Sequence, residues 1–201
     1  MEMRNPKHEI RNEPMFGKKS PFVCPWWGGY FIDNRFRRWL HQPERILQPY
    51  LRPSMNILDF GCGMGFFSIA AARLTGPSGR VIAVDLQQRM LDVLRRRADK
   101  AGVGPQIQTH QCPADRLLLD EAFDFGLAFY SAHEAPDPPR LFREIHALLV
   151  VGAKFLLVEP VGHVTAKAFA RMLGQAAETG WLIEDHPKVR WSHTALLAKS
   201  L

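Results

Sequence analysis

Three glycines on alternate positions, Gly61, Gly63 and Gly65, stand between the apolar run Ile57-Leu58-Asp59-Phe60 and the alanine-rich stretch Ile69-Ala70-Ala71-Ala72. That order reads as a strand, a tight turn and a helix N-terminus. It is the element with which α/β proteins bring backbone N–H groups against a nucleotide-like ligand. Glycine is required because the turn demands positive φ and because a Cβ would hold the ligand off the main chain. With a strand before it and a helix after it, this feature constrains the fold more than any other.

Three acids sharpen the reading. Asp59 precedes the first glycine by two residues and sits at the strand's end, where it can meet a ligand ammonium group. A second strand pattern, Arg80-Val81-Ile82-Ala83-Val84-Asp85, ends in a carboxylate able to accept both hydroxyls of a ribose. Asp85 equally suits the N-cap of the helical pattern that follows. Cys112-Pro113-Ala114-Asp115 follows a third strand pattern, placing an acceptor where an adenine amino group would need one. Asp115 also suits a helix cap.

Downstream, strand and helix patterns alternate. Strands are predicted at 56–60, 80–85, 105–111, 123–129 and 153–159, and helices at 65–74, 87–101, 138–149 and 163–179, with a short turn at 114–119. Gly102, Gly152 and Gly180 fall where C-terminal caps belong. Residues 181–189 and 190–198 read as a closing hairpin. Such alternation implies a parallel sheet covered on both faces.

Upstream the chain differs. Residues 1–21 are polar and aperiodic, the pattern of a flexible arm. Residues 22–53 combine an aromatic cluster (Trp26, Trp27, Tyr30, Phe31) with helical patterns near 29–40 and 43–51 and read as a lid. Those aromatics equally suit plain packing against the helices. The net charge of +6 is concentrated here, in ten Lys/Arg against five Asp/Glu over residues 1–53. The run Arg35-Phe36-Arg37-Arg38-Trp39 suits either a solvated helix face or an anionic partner.

At 201 residues the chain is one domain long. It has no apolar run near the ~20 residues of a membrane span, nor the apolar core of a signal peptide. Cys24, Cys62 and Cys112 form no C-x-x-C pair, which argues against a disulfide framework and a zinc ribbon. A cytoplasmic location, no membrane partner and a monomer or homodimer are expected.

Taken together, Asp59 through Gly65, Asp85, Ala114-Asp115, Phe125 through Glu134 and Leu156-Leu157-Val158-Glu159-Pro160 resemble the class I S-adenosylmethionine-dependent methyltransferases. The similarity runs over residues 54–201 and is nearest to the small methyltransferase-domain proteins related to quinone-biosynthesis methyltransferases. It implies a Rossmann-like α/β fold, a seven-stranded mostly parallel sheet of order 3-2-1-4-5-7-6 with an antiparallel last strand. It also implies S-adenosylmethionine as cofactor. The glycine turn then faces the methionine–ribose portion, Asp59 the ammonium, Asp85 the ribose and Asp115 the adenine amino group. Leu86 and Ala114 line the adenine slot, and Phe129 borders the donor.

In open α/β sheets the crevice lies at the carboxyl ends of the strands, so Phe129-Tyr130-Ser131-Ala132-His133-Glu134 should border the transferred methyl group. His133 is the best general-base candidate, and Tyr130 can orient an acceptor or contact the sulfonium. His133 equally suits a tie to Glu134 or to backbone. His163 competes as a base. His133, His163 and Glu159 all come from crevice-side strand ends, yet no close H-x-x-x-H spacing supports a metal, and none is expected.

The expected activity is SN2 methyl transfer to a small-molecule acceptor. An RNA or protein acceptor served by the basic N-terminal segment is the alternative; nucleic acid is not favoured. A non-catalytic cofactor-binding regulator is a further alternative. A nicotinamide dehydrogenase would also use the glycine turn and Asp85, but no Tyr-x-x-x-Lys pair is present.

Overall fold

The computed structural model describes residues 41–199. The arm, the Trp26–Phe31 cluster and the basic Arg35–Trp39 run lie outside the described residues, as does the first part of the expected lid.

Seven strands form one sheet: β1 (Asn56–Phe60), β2 (Arg80–Asp85), β3 (Ile107–Gln111), β4 (Phe123–Phe129), β5 (Leu149–Pro160), β6 (Trp181–Asp185) and β7 (Ser192–Lys199). Their order is β3-β2-β1-β4-β5-β7-β6. Pairing is parallel throughout except for β7, which runs antiparallel to both neighbours. This is the expected order. The helices are α1 (Pro43–Leu47), α2 (Phe66–Thr75), α3 (Gln88–Lys100), α4 (Pro138–Leu148) and α5 (Ala166–Glu178).

Successive side chains of a strand point to opposite faces, so each buried strand feeds two cores. Ile57, Val81, Ala83, Leu127, Leu156 and Leu196 pack with Leu47 of α1, Phe67, Ala70 and Ala71 of α2, and Leu91 and Leu94 of α3. Leu58, Ile82, Val84, Ala128, Leu157 and Leu197 pack on the other face, with Phe142 and Ile145 of α4 and Phe169, Met172 and Leu173 of α5. The alanines let α2 lie close to the sheet, directly after the glycine turn.

Element ends differ from the sequence expectation where local chemistry intervenes. Helix α5 starts at Ala166 rather than 163, because Thr165 caps it by accepting the Ala168 N–H at 3.1 Å. His163 therefore lies in the turn before the helix. Strand β5 begins at Leu149, and Gly152 (φ +78°) sits inside it rather than capping α4. The β4–β5 register shifts between Phe123 and Phe125, opposite that glycine, as at a β-bulge. Gly102 and Gly180 do follow α3 and α5 with positive φ. Residues 114–119 form a turn at 114–115 and no helix.

Candidate active site

Each glycine of the turn between β1 and α2 has positive φ, at +68°, +53° and +83° in order. Their surroundings differ. A Cβ on Gly61 would stand 2.2 Å from the Ser131 Cβ, and one on Gly65 would stand 2.5 Å from the Leu94 Cγ. A Cβ on Gly63 would meet nothing within 4 Å. Two glycines are thus demanded by packing, and the middle one faces open space.

Asp85, at the carboxyl end of β2, locks onto that middle glycine. Its Oδ2 accepts the Gly63 N–H at 2.9 Å, and its Oδ1 accepts the Gln87 N–H at 2.8 Å. Burial pushes the carboxyl above its usual range, against the pull of the N–H groups of Gln87, Gly63 and Leu86. The cap and the ligand readings of Asp85 are therefore compatible, because a carboxylate has about four lone-pair sites and the three backbone N–H groups leave room for a further donor. Leu86 is half-buried beside it.

Asp59 is 2% exposed. It shares the sheet face of Ile57, which turns it toward α2, where the Ser68 hydroxyl donates to Oδ2 at 2.5 Å. Cys62, inside the turn, has its thiol pushed well up by burial and then by Asp85 and Asp59. Cys112 is pushed up to about 12 by burial, then by Asp85, Glu144 and Asp115. Burial thus disfavours the thiolate form at both cysteines.

Ala114 and Asp115 are exposed and line a narrow crevice with Phe60, Ala135, Leu141 and Glu144. The Asp115 carboxylate, 52% exposed, stands 3.8 Å from both Arg116 and Arg140.

Beyond β4 the chain turns sharply. Tyr130 adopts φ +64°, rare for a residue with a side chain. Its hydroxyl lies 3.0 Å from His41 Nε2 and 2.7 Å from Ser192 Oγ, tying β4 to β7 and to the N-terminal segment. The Phe129 ring is buried, stacked on Phe67 at 4.0 Å between centroids. Ser131 donates to the Phe60 carbonyl at 2.8 Å while packing on Gly61. The segment carrying His133 is thereby seated on the glycine turn.

His133 sits in a short 3₁₀ turn, Ala132–Glu134. Glu159, 0% exposed at the end of β5, accepts the His133 backbone N–H through Oε1 at 3.0 Å and lies 2.5 Å from Nδ1 through Oε2. Burial pulls the imidazole down, but the Glu159 hydrogen bond and charge and the charge of Glu134 outweigh it, leaving His133 above its ordinary value. The His163 ring meets it edge-on, 4.9 Å between centroids. No group of three or more metal-ligating side chains suited to a metal ion occurs among the described residues.

The model of a family described as a methyltransferase domain matches residues 51–190. The chain belongs to that family. A demethylmenaquinone methyltransferase of Symbiobacterium thermophilum is 30% identical over 131 residues, spanning 65% of this chain and 50% of the relative. A ubiquinone/menaquinone biosynthesis C-methyltransferase of Hahella chejuensis is 29% identical over 123 residues, 59% of this chain and 49% of its own length. The chain thus spans about half the length of these curated relatives. Among solved structures, a SAM-dependent methyltransferase from Aquifex aeolicus superposes with a TM-score of 0.79 at 19% identity, covering 87% of this chain and 98% of that one. The Rossmann-like methyltransferase fold follows.

S-adenosylmethionine is the cofactor implied by this methyltransferase fold, and the site suits it. Gly63 leaves the main chain approachable, and a buried acid, Asp59, and a half-buried one, Asp85, stand at the ends of β1 and β2. No local pattern reports the contacts of Ser131 and His41, whose partners lie 71 and 89 residues away, whereas Ser68 bonds Asp59 within the same strand–turn–helix unit. The signal for Glu159 was its acid character at the end of an apolar strand.

Proposed function

We propose that this methyltransferase domain transfers a methyl group from S-adenosylmethionine to a small-molecule acceptor. The observation that carries the reading is Asp85, whose two oxygens anchor Gly63 and Gln87 and so join the open turn and the acid into one cradle. The bound cofactor supplies an electrophilic methyl on a sulfonium. The protein's task is to orient it, and alignment is worth about 7–11 kcal/mol in well-oriented systems.

In this reading the turn holds the methionine–ribose portion, Asp59 the ammonium and Asp85 the ribose hydroxyls. Asp115 takes the adenine amino group, with Leu86 and Ala114 beside the ring. Phe129 acts from beneath, by fixing the strand end, and Tyr130 by tying His41 to the end of β4. His133 is the proton acceptor.

A small acceptor is supported by the quinone-named relatives. A cavity of about 500 Å³ lined by His41, Arg45, Tyr50, Lys188 and Arg190 also supports it, a size typical of small-ligand sites. Its cationic lining equally favours an RNA acceptor, the second reading. No helix among the described residues is long and apolar enough to cross a membrane.

Calorimetry with S-adenosylmethionine, using Asp85→Ala as control, tests the cofactor. Binding lost in the variant is expected, and equal heat in both would overturn the assignment. Release of S-adenosylhomocysteine from metabolite extracts, with and without ribonuclease, separates the acceptors. Release that survives ribonuclease is expected; release abolished by it assigns RNA, and none at all assigns a binding protein.

A further inference from the structure

We infer that Glu159 is a positioning residue, which holds His133 with its proton on Nδ1 and its lone pair on Nε2. The dyad then serves acceptors that must lose a proton as they are methylated, such as hydroxylated aromatics. The inference rests on the methyltransferase reading above.

The geometry is specific. Glu159 is wholly buried and is met by His133 twice, by the backbone N–H on Oε1 and by the ring on Oε2. A carboxylate oxygen is the natural acceptor, and Glu159 already accepts the His133 backbone N–H, so the hydrogen of the ring contact is assigned to Nδ1. Nε2 is left with the lone pair, and it has no hydrogen-bond partner among the described residues. The His133 side chain keeps 13% of its surface exposed. Two residues earlier, Ser131 packs on Gly61, so the dyad is seated on the cofactor turn itself.

The charged or titratable groups facing the ring are Glu159 from β5, Glu134 in its own turn, and His163 from the loop before α5. An acceptor that is already an anion needs no such device. For an acceptor X–H, Nε2 takes the proton while the X–H electron pair bonds to the methyl carbon. The methyl–sulfur pair stays on sulfur. The positive charge lost by the sulfonium reappears on the imidazolium, beside Glu159.

Glu159→Gln makes a sharp test, because the His133 backbone N–H claims the amide oxygen at the Oε1 position. The amide NH₂ then faces Nδ1 and forces the hydrogen onto Nε2. Long-range ¹H–¹⁵N spectra of histidine-labelled protein should show Nδ1–H in the wild type and Nε2–H in the variant. An Nε2–H wild type, or an unchanged tautomer in the variant, overturns the inference. With 1,4-naphthohydroquinone as probe, kcat should fall about 100-fold in Glu159→Gln, within the usual worth of a general base, with cofactor affinity unchanged within about twofold.

Equal kcat would overturn the inference, as would wild-type turnover of methanethiolate or iodide only, or of no probe. If Glu159→Gln fails to fold, His133→Asn keeps the backbone contact and takes its place in the kinetics, with the wild-type tautomer deciding the geometry. Loss of cofactor binding in the wild type would instead sink the methyltransferase reading.

Discussion

Each glycine of the 61–65 turn answers a different demand. Gly61 lets the post-β4 segment sit down, Gly65 admits Leu94 of α3, and Gly63 keeps the main chain bare. All three pay a positive-φ penalty of about 1–2 kcal/mol when replaced by alanine. Gly61→Ala adds a clash with Ser131, so its loss of stability in denaturant unfolding should exceed that of Gly63→Ala by about 1–3 kcal/mol. Gly63→Ala should instead show its larger effect in S-adenosylmethionine calorimetry. A pH dependence also belongs to one residue. His133 stands above its ordinary value when folded, so folding takes up a proton there. That stabilisation is complete below about pH 6.5 and is lost as pH rises through the folded value. The melting temperature of the wild type should therefore fall over that window relative to His133→Asn; parallel curves for the two would refute it.

Elements of the site are joined by single groups acting across chain-distant ends. Asp85 fastens the β1–α2 turn to the start of α3 through two backbone N–H groups. Asp85→Asn leaves one carboxamide oxygen to serve both, orphaning one donor at a cost of about 1–3 kcal/mol. Unfolding midpoints should drop accordingly, and exchange of the Gly63 and Gln87 amides should quicken before that of the strand amides of β2. Strand and helix identities in this region were legible from periodicity and glycine placement, because both are local. The β5 start was not. Gly152 looks like a cap in one dimension, and only pairing with β4 draws residues 149–152 into the sheet. The start of α5 followed Thr165 rather than the pattern, since a cap overrides hydrophobic spacing.

At the scale of the molecule, Tyr130 is the strut between the sheet and the N-terminal segment. It leaves β4 in a left-handed conformation, and its hydroxyl reaches both β7 and His41. Tyr130→Phe keeps the ring and removes both hydrogen bonds, a loss of about 1–2 kcal/mol. For a chain of this size each kcal/mol is about 2–4 °C in Tm. Scanning calorimetry should show that drop, and hydrogen exchange should place the loosening at residues 47–51 rather than in the sheet. An unchanged exchange pattern there would remove Tyr130 from this role.

The sequence alone determined the strands, most of the helices that cover them, and the glycine turn with its strand-end acids. Those depend on period, on glycine's access to positive φ, and on acids at strand ends, all written within a few residues of one another. What only the tertiary structure decided is which groups meet across the carboxyl edge. Glu159 and His133 lie 26 residues apart, and His41 and Tyr130 lie 89 apart. Ser131 meets Gly61 only because β1 and β4 are neighbours in the sheet. No periodicity encodes such pairs, since they are products of strand order, and strand order is settled by packing of the whole.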